Sequence, residues 1–395
     1  MPSSMGSSSL PVSTTIILFA LLCGFSCSEY IYPDFTASNI QFVDKSGAFL
    51  FSKNGTFKAA IYNPGNRKNY YLCVIHAASN ALIWSANRDN PVSNYGKMVL
   101  TLSGITISDE YGNPQWSTPP LHSSVSALFL TEMGNLVLLG QNNISLWDSF
   151  HYPTDTIVIG QKLPVGALLV SSVSDYDLST ANYSLSVTTS DAVLRWDGST
   201  YWKLSTDLNS FRNSNYAVEY LAMNRTGLFL FARNGSVVVI QVKLSESDFQ
   251  TAKLDVSGRF MVRSYSGMGS KREFSGPDDK CGIPFICGRV GLCTDSDAAS
   301  TSGPICSCPA AFHADPQNTN SCIPSDASLS LPVACSSTVV INGSSVNTQN
   351  ETYLGLPPGS DYFTNVFMDP VRYGINLSSC KDLCSQNLFL PGNLL

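Results

Sequence analysis

Charge is scarce in this 395-residue chain: Asp, Glu, Lys and Arg together make up 13% of it, against about a quarter in ordinary globular proteins. The net charge of -6 has no basic run behind it, so neither nucleic acid nor an anionic membrane surface is an expected partner. Past residue 28 no stretch reaches the roughly 18 apolar residues of a membrane span. The nearest, Gly227 to Val242, is interrupted by Arg233, Asn234 and Gly235. Histidine is nearly missing too, and His76, His122, His151 and His313 form no His-Glu-x-x-His pair. No Gly-x-Ser-x-Gly elbow occurs, and Gly267-Met268-Gly269 lacks the third glycine of a nucleotide loop. These absences argue against catalysis, a cofactor or a metal, and leave a binder of neutral ligands or of proteins.

What the chain does have is a repeat. Trp84, Trp116 and Trp147 stand 32 and 31 residues apart, each ending a stretch of alternating apolar positions that passes through a polar turn. Such spacing reads as an internal threefold unit whose large rings share one core. Short strands broken by Gly, Asn and Pro fill residues 35–165, as in Phe49-Leu50-Phe51, Met98-Leu100-Leu102 and Leu136-Leu138, and predict an all-β domain.

Residues 1–28, with the apolar core Ile16 to Leu22 and small Ser26 and Ser28, read as a secretory signal peptide, a signal anchor being the alternative. Cysteine usage agrees with an oxidising compartment. Cys23 and Cys27 fall in the signal segment and Cys73 stands alone in the rest of the N-terminal half, whereas Cys281, Cys287, Cys293, Cys306, Cys308 and Cys322 fall in a 42-residue window with little core-forming sequence. Such a window needs covalent staples, and the single residue between Cys306 and Cys308 departs from zinc-ribbon spacing. Sequons at Asn54, Asn143, Asn182, Asn224, Asn234, Asn342, Asn350 and Asn376 are candidate N-glycosylation sites, although a chain so rich in Asn, Ser and Thr generates nearly as many by chance. Asp148 and Asp155 are read as turn caps rather than paired carboxylates, and Asp278 and Asp279 lack the acidic and amide companions of a calcium site.

Three long motifs carry a resemblance. Trp84-Ser85-Ala86-Asn87-Arg88-Asp89-Asn90-Pro91-Val92, Gly134-Asn135-Leu136-Val137-Leu138 and Trp147-Asp148-Ser149-Phe150-His151-Tyr152-Pro153-Thr154-Asp155-Thr156 resemble the bulb-type lectin domain of plant S-domain receptor-like kinases. The resemblance implies a β-prism of three four-stranded sheets about a pseudo-threefold axis over 29–165. It continues through a looser S-locus-glycoprotein-like β region at 166–275, where Tyr201-Trp202-Lys203-Leu204-Ser205 and Leu254-Asp255-Val256-Ser257-Gly258-Arg259-Phe260 fit. An EGF-like module follows at 276–323, anchored by Cys287-Gly288-Arg289-Val290-Gly291-Leu292-Cys293, and would join first to third, second to fourth and fifth to sixth cysteines. Residues 324–395 look like part of a PAN/apple domain, with Cys335 and a helix bearing Cys380 and Cys384 at i and i+4. Family members continue into a membrane span and a serine/threonine kinase. The expected chain is thus an ectodomain-like, truncated form, secreted and without catalysis, in which Cys73, Cys335, Cys380 and Cys384 have no obvious partner and at least one is a reactive thiol.

The same resemblance locates the sugar slots. Bulb lectins bind mannose with a strand reading Gln-x-Asp-x-Asn-x-Val-x-Tyr, whose alternate side chains line one groove. Here the third unit places Thr131, Met133, Asn135, Val137 and Leu139 in those positions, the second places Thr101, Ser103, Ile105, Ile107 and Asp109, and the first, Tyr71 to Ile75, shows no trace. Two of five survive in the best unit. Since each hydrogen bond contributes only about 0.5 to 1.5 kcal/mol net, the strand is expected to be kept for fold. The expected function is recognition of a cell-surface protein or glycan, including association with a full-length receptor kinase. A soluble mannose-type lectin using loop aromatics such as Tyr95, Tyr111 and Tyr152 is the alternative.

Overall fold

The computed structural model describes residues 29–38, 47–65, 68–267, 269–288, 290–294, 304–318, 320–326, 339–341, 344–346, 366–367 and 372–379. Strand is the dominant element, as composition and patterning predict. The first twelve strands form three four-stranded antiparallel sheets. One orders β1 (Tyr30–Ile31), β10 (Ala127–Leu130), β11 (Leu136–Leu139) and β12 (Ser145–Asp148); the next β2 (Phe35–Ala37), β7 (Lys97–Thr101), β8 (Gly104–Ser108) and β9 (Pro114–Ser117); the third β3 (Ala48–Phe51), β4 (Phe57–Tyr62), β5 (Tyr71–His76) and β6 (Leu82–Ser85).

Each sheet ends on the strand that carries a tryptophan. The three rings meet edge to face, with centroids 6.2 Å (Trp84 to Trp116), 5.7 Å (Trp84 to Trp147) and 6.3 Å (Trp116 to Trp147) apart, a geometry aromatic quadrupoles favour. Below them the alternation of apolar residues delivers Leu50, Leu72, Val74, Met98, Leu100, Ile105, Ile107, Leu128 and Leu130 to one core. The sequence spacing of the tryptophans therefore reports a true spatial repeat.

A second unit repeats the plan. Its sheets order β13 (Thr156–Val158), β23 (Gln250–Leu254), β24 (Phe260–Ser266) and β25 (Gly269–Gly276); β14 (Lys162–Pro164), β20 (Tyr220–Asn224), β21 (Gly227–Ala232), β22 (Val237–Lys243) and β19 (Ser210–Arg212); and β15 (Leu168–Ser172), β16 (Thr180–Val187), β17 (Ala192–Trp196) and β18 (Ser199–Lys203). They enclose a separate core containing Leu163, Leu185, Leu194, Trp202, Leu221, Leu230, Ile240 and Phe260. The structure differs here from the division expected at 165/166. β13 and β14 precede it, yet they pair with β23 and β20 of the second unit. β13 belongs to both cores by pleat: Ile157 enters the second and its neighbour Val158 the first.

The cysteine-rich module adds two hairpins, β26 (Leu292–Thr294) with β27 (Ile305–Ser307) and β28 (Phe312–Ala314) with β29 (Cys322–Pro324). Its bridges are Cys281 to Cys293, Cys287 to Cys306 and Cys308 to Cys322. The module leans on the second unit through the Tyr183 hydroxyl, which donates to the Pro284 carbonyl at 2.9 Å, and through Phe285 against Trp196, 4.7 Å between centroids. Cys335, Cys380 and Cys384, with Asn342 and Asn350, lie outside the described residues. Of the expected PAN-like helix, Leu377 to Ser379 are helical and begin at Asn376, whose side chain accepts from the Ser379 N–H at 2.8 Å.

Candidate functional site

The third-unit slot sits on the hairpin from β10 to β11, and its polar atoms are already engaged. Thr131 Oγ1 accepts from the backbone N–H of Asn135 at 3.0 Å and of Met133 at 3.4 Å, building the turn. Gly134 takes the left-handed position of that turn (φ +83°), where a Cβ would come within 3.0 Å of the Phe57 ring. The Asn135 side chain is held inward. Its Nδ2 donates to Asp148 Oδ1 at 3.2 Å, while its Oδ1 accepts from Ser149 Oγ and from the Phe150 N–H, both at 3.1 Å. Asp148 in turn caps the short 3-10 helix Ser149–His151 and pairs with His151 Nδ1 at 2.6 Å. Val137 and Leu139 are buried, and Met133 is 55% exposed at the turn. The five positions thus make a knot joining β11 to the Asp-Ser-Phe segment, with no row of free hydrogen-bonding groups.

In the second tryptophan repeat the positions follow the same pattern. Ile105 and Ile107 are core residues, and Asp109 accepts from the N–H groups of Tyr111 and Asn113 in its own turn. Those bonds hold its carboxyl below the usual range, the Asn113 side chain contributing most.

In the first tryptophan repeat the groove face does not exist as surface. Tyr71, Cys73 and Ile75 of β5 are buried with Ala48 and Ala60 against Leu178 of the second unit, and the Tyr71 hydroxyl accepts from the Leu178 N–H at 3.3 Å. Cys73 is therefore not the reactive thiol expected among Cys73, Cys335, Cys380 and Cys384, the other three of which lie outside the described residues. It is 0% exposed, and burial raises its pKa well above that of a free thiol.

Two of the signature motifs clamp the units together. Asn87 ties its own loop down, accepting from the Leu72 N–H and donating to the Tyr70 and Asn90 carbonyls. Arg88, 6% exposed, reaches into the second unit, with Nε on the Leu178 carbonyl (2.7 Å), Nη1 on the Val170 carbonyl (3.0 Å) and Nη2 on Ser172 Oγ (3.2 Å). Ser172 Oγ passes the link to Asp155, which also faces Lys253 Nζ at 3.5 Å. Asp155 is thus a buried member of an inter-unit charge cluster and does not cap a turn. Burial lowers the Arg88 pKa against the opposing pull of Asp155 and Asp89, and Asp155 raises that of Lys253. Asp89 completes the clamp by accepting from the Thr180 N–H and hydroxyl, each at 2.8 Å.

The loop aromatics have mixed settings. Tyr95 and Tyr111 are 58% and 82% exposed, whereas Tyr152 stacks on Trp147 (5.8 Å between centroids) and its carbonyl accepts from Trp84 Nε1 at 2.7 Å. A small cleft of about 180 Å3 opens there, lined by the three tryptophans, Tyr152 and Thr154. Among the described residues no group of three His, Cys, Asp or Glu is arranged to hold a metal, and no helix is long and apolar enough to cross a membrane. The sequons Asn54, Asn143, Asn182, Asn224, Asn234 and Asn376 are all exposed.

Three sheets converging on a tryptophan triad, with these motifs at the strand ends, define a protein of the bulb-lectin class. Residues 81–172 match the D-mannose binding lectin family. The chain is 45% identical to the G-type lectin S-receptor-like serine/threonine-protein kinase At5g35370 of Arabidopsis thaliana over 94% of its own length and 42% of that protein. It is 28% identical to the G-type lectin S-receptor-like kinase SD2-5 of the same plant over 93% of its length and 43% of that protein. Among solved structures, the two-domain Scilla campanulata agglutinin matches over 55% of this chain and 89% of that one, at 14% identity and a TM-score of 0.24, a likeness too distant to bear on the site. The chain belongs to the G-type lectin S-receptor-like family in its lectin-bearing portion, and it spans about two fifths of the length of the relatives it matches.

Proposed function

We propose that this chain is an extracellular recognition protein of the ectodomain type, secreted after signal-peptide removal and without catalysis of its own. It engages a cell-surface protein or glycan and associates with a full-length receptor kinase of its family. The observation that carries this reading is the relation to receptor kinases across nearly the whole chain, combined with mannose-type slots whose polar atoms serve the fold. Recognition then falls to other surfaces, and the cysteine-rich and PAN-like segments serve self-association. The test is co-purification of the mature chain with the ectodomain of the full-length receptor. Association at micromolar concentration is the expected result; its absence overturns the receptor-partner reading.

A soluble mannose-type lectin is the second reading, favoured by the exposed rings of Tyr95 and Tyr111, which could stack on a sugar. A glycan array distinguishes it: mannose binding that disappears in Tyr111→Ala supports the loops, and silence toward mannose from folded protein ends the reading.

A further inference from the structure

The second unit presents a sheet face that carries both aromatic rings and lysines. On the five-stranded sheet, the residues that alternate with the core positions Leu163, Leu221, Met223, Leu228, Leu230 and Val242 point outward. Register places Lys162, Ala222, Phe229, Gln241 and Phe211 in one row across the five strands, and Pro164, Tyr220, Phe231 and Val238 in the next. The rings form a continuous platform. Tyr220 and Phe231 lie 5.3 Å apart and Phe229 and Phe231 5.5 Å, each pair tilted by 33°. Phe229 lies against Gly227, where a Cβ would come within 2.6 Å of its Cζ. Phe211, on the edge strand, is 63% exposed.

Around the rings stand amides and cations. A cleft of about 420 Å3 is lined by Asn209, Phe211, Gln241 and Lys243, with Gln241 oriented by its hydrogen bond to Asn213 Oδ1 at 2.9 Å. Lys162 Nζ sits 4.6 Å above the Tyr220 ring, and Lys243 is exposed at the opposite corner. No outward position of this sheet holds Asp or Glu, in a chain whose net charge is -6. Glu219, next to β20, is occupied at the strand end by the N–H groups of Arg233 and Asn234, and Asp207, buried beside β19, accepts from the Asn209 N–H and side chain.

We propose that this face binds an oligosaccharide built from uronic acids. The chemistry fits on three counts. Aromatic rings stack on the apolar face of a pyranose, Asn and Gln side chains offer both donor and acceptor to hydroxyls, and two lysines supply charge complementarity to the sugar carboxylates. The platform is long enough to take several residues, since five strands at roughly 4.8 Å spacing extend about 19 Å. Mannose, with no carboxylate, would leave Lys162 and Lys243 unused. The inference rests on the extracellular recognition role above but not on receptor association.

The experiment is calorimetric titration of the whole mature chain with a galacturonic acid oligosaccharide and with its fully methyl-esterified counterpart. Expected are salt-sensitive binding of the acid form, at least tenfold weaker binding of the ester, and a tenfold or greater loss in Lys162→Gln/Lys243→Gln and in Phe211→Ala, each checked for fold by near-ultraviolet circular dichroism. Tyr111→Ala should bind as the parent does. No binding of either oligomer, equal binding of both, or loss of binding in Tyr111→Ala overturns the proposal. Asn224, a sequon at the Gly227 end of this face, supplies a further arm: if binding appears only in Asn224→Gln, the occupant is the protein's own glycan and the proposal falls. Co-purification with the receptor is a separate readout, so either reading can fail without the other.

Discussion

The two β-units share a three-sheet plan but solve their centres differently. In the first, the last strand of every sheet contributes a tryptophan, and the three rings close the core. In the second, the matching strands β18 and β25 bring Trp202 and Phe274 together at 6.4 Å, and β22 contributes only aliphatic residues, Val239 and Ile240. Aromatic symmetry has been kept where the signature motifs lie and lost beside them, although the backbone plan survives in both. The outer faces diverge in the opposite sense. The first unit has its slots consumed by turns, core and the neighbouring unit, while the second displays rings and lysines on an open sheet. In this chain the lectin signature residues anchor the fold, and the binding face proposed above lies on the second unit.

If the triad is the anchor, Trp84→Ala should be the most damaging single change, costing about 3 to 5 kcal/mol through lost ring contacts and a cavity, and freeing the Tyr152 carbonyl. Trp202→Ala should be as severe for the second unit, because Trp202 packs over Gly276. Urea unfolding followed by tryptophan fluorescence checks both. Should Trp84→Ala cost less than about 1 kcal/mol, the triad is ornament and the contrast between the units loses its meaning.

Next in size is the clamp. Arg88→Ala removes three hydrogen bonds to the second unit and takes one cation from beside Asp155, which keeps Ser172, Thr156 and Lys253, so a cost of about 3 kcal/mol is expected, about 1 kcal/mol for each lost bond. The informative readout is cooperativity. The parent should unfold its two β-units together, and the variant should separate them into two transitions by calorimetry; a single unchanged transition would mean that the contacts of Leu178 with Tyr71 and of Phe249 with His76 and Phe57 suffice to couple them.

A smaller effect is expected at Asn135. Its three side-chain bonds join β11 to the Asp148 cap, so Asn135→Ala should cost about 1 to 2 kcal/mol while leaving glycan binding unchanged. Retained stability with lost sugar binding would restore the mannose slot as a functional site.

How much of this was readable in advance depends on whether the signal was local. The tryptophan repeat, the alternating strands and the cysteine window are patterns within short stretches, and they lead directly to the first unit and the stapled module. The repetition of the plan in the second unit carries no such pattern, because one of three rings is replaced by Phe274 and another by aliphatics. Arg88 and Asp155 read as parts of fold motifs, but Arg88 bonds Leu178, Val170 and Ser172, 82 to 90 residues away, and Asp155 faces Lys253, 98 residues away. The same distance hides the platform: Lys162, Phe211, Phe229 and Gln241 become one row only through strand register, and two isolated lysines in a weakly charged chain give no basic run.

The smallest effect concerns the other half of the contact between the units. His76, at the end of β5, stacks on Phe249 of the second unit at 3.8 Å and meets Phe57 edge-on, with Tyr265 beyond and Ser79 Oγ on its Nδ1 at 2.7 Å. Burial lowers its pKa from the ordinary value of 6.5. Below pH 6.5 the unfolded chain then takes up the proton more readily than the folded one, so this contribution to stability is present at neutral pH and declines as the medium acidifies. His76→Phe keeps the stacking and removes the titration. Between pH 7 and 5 the parent should lose about 1 to 3 °C more in Tm than the variant, an amount suited to a fraction of a kcal/mol in a chain of this size. Parallel melting curves across that range would show that the imidazole keeps its ordinary pKa, and that the contact at His76 is wetter than its rings suggest.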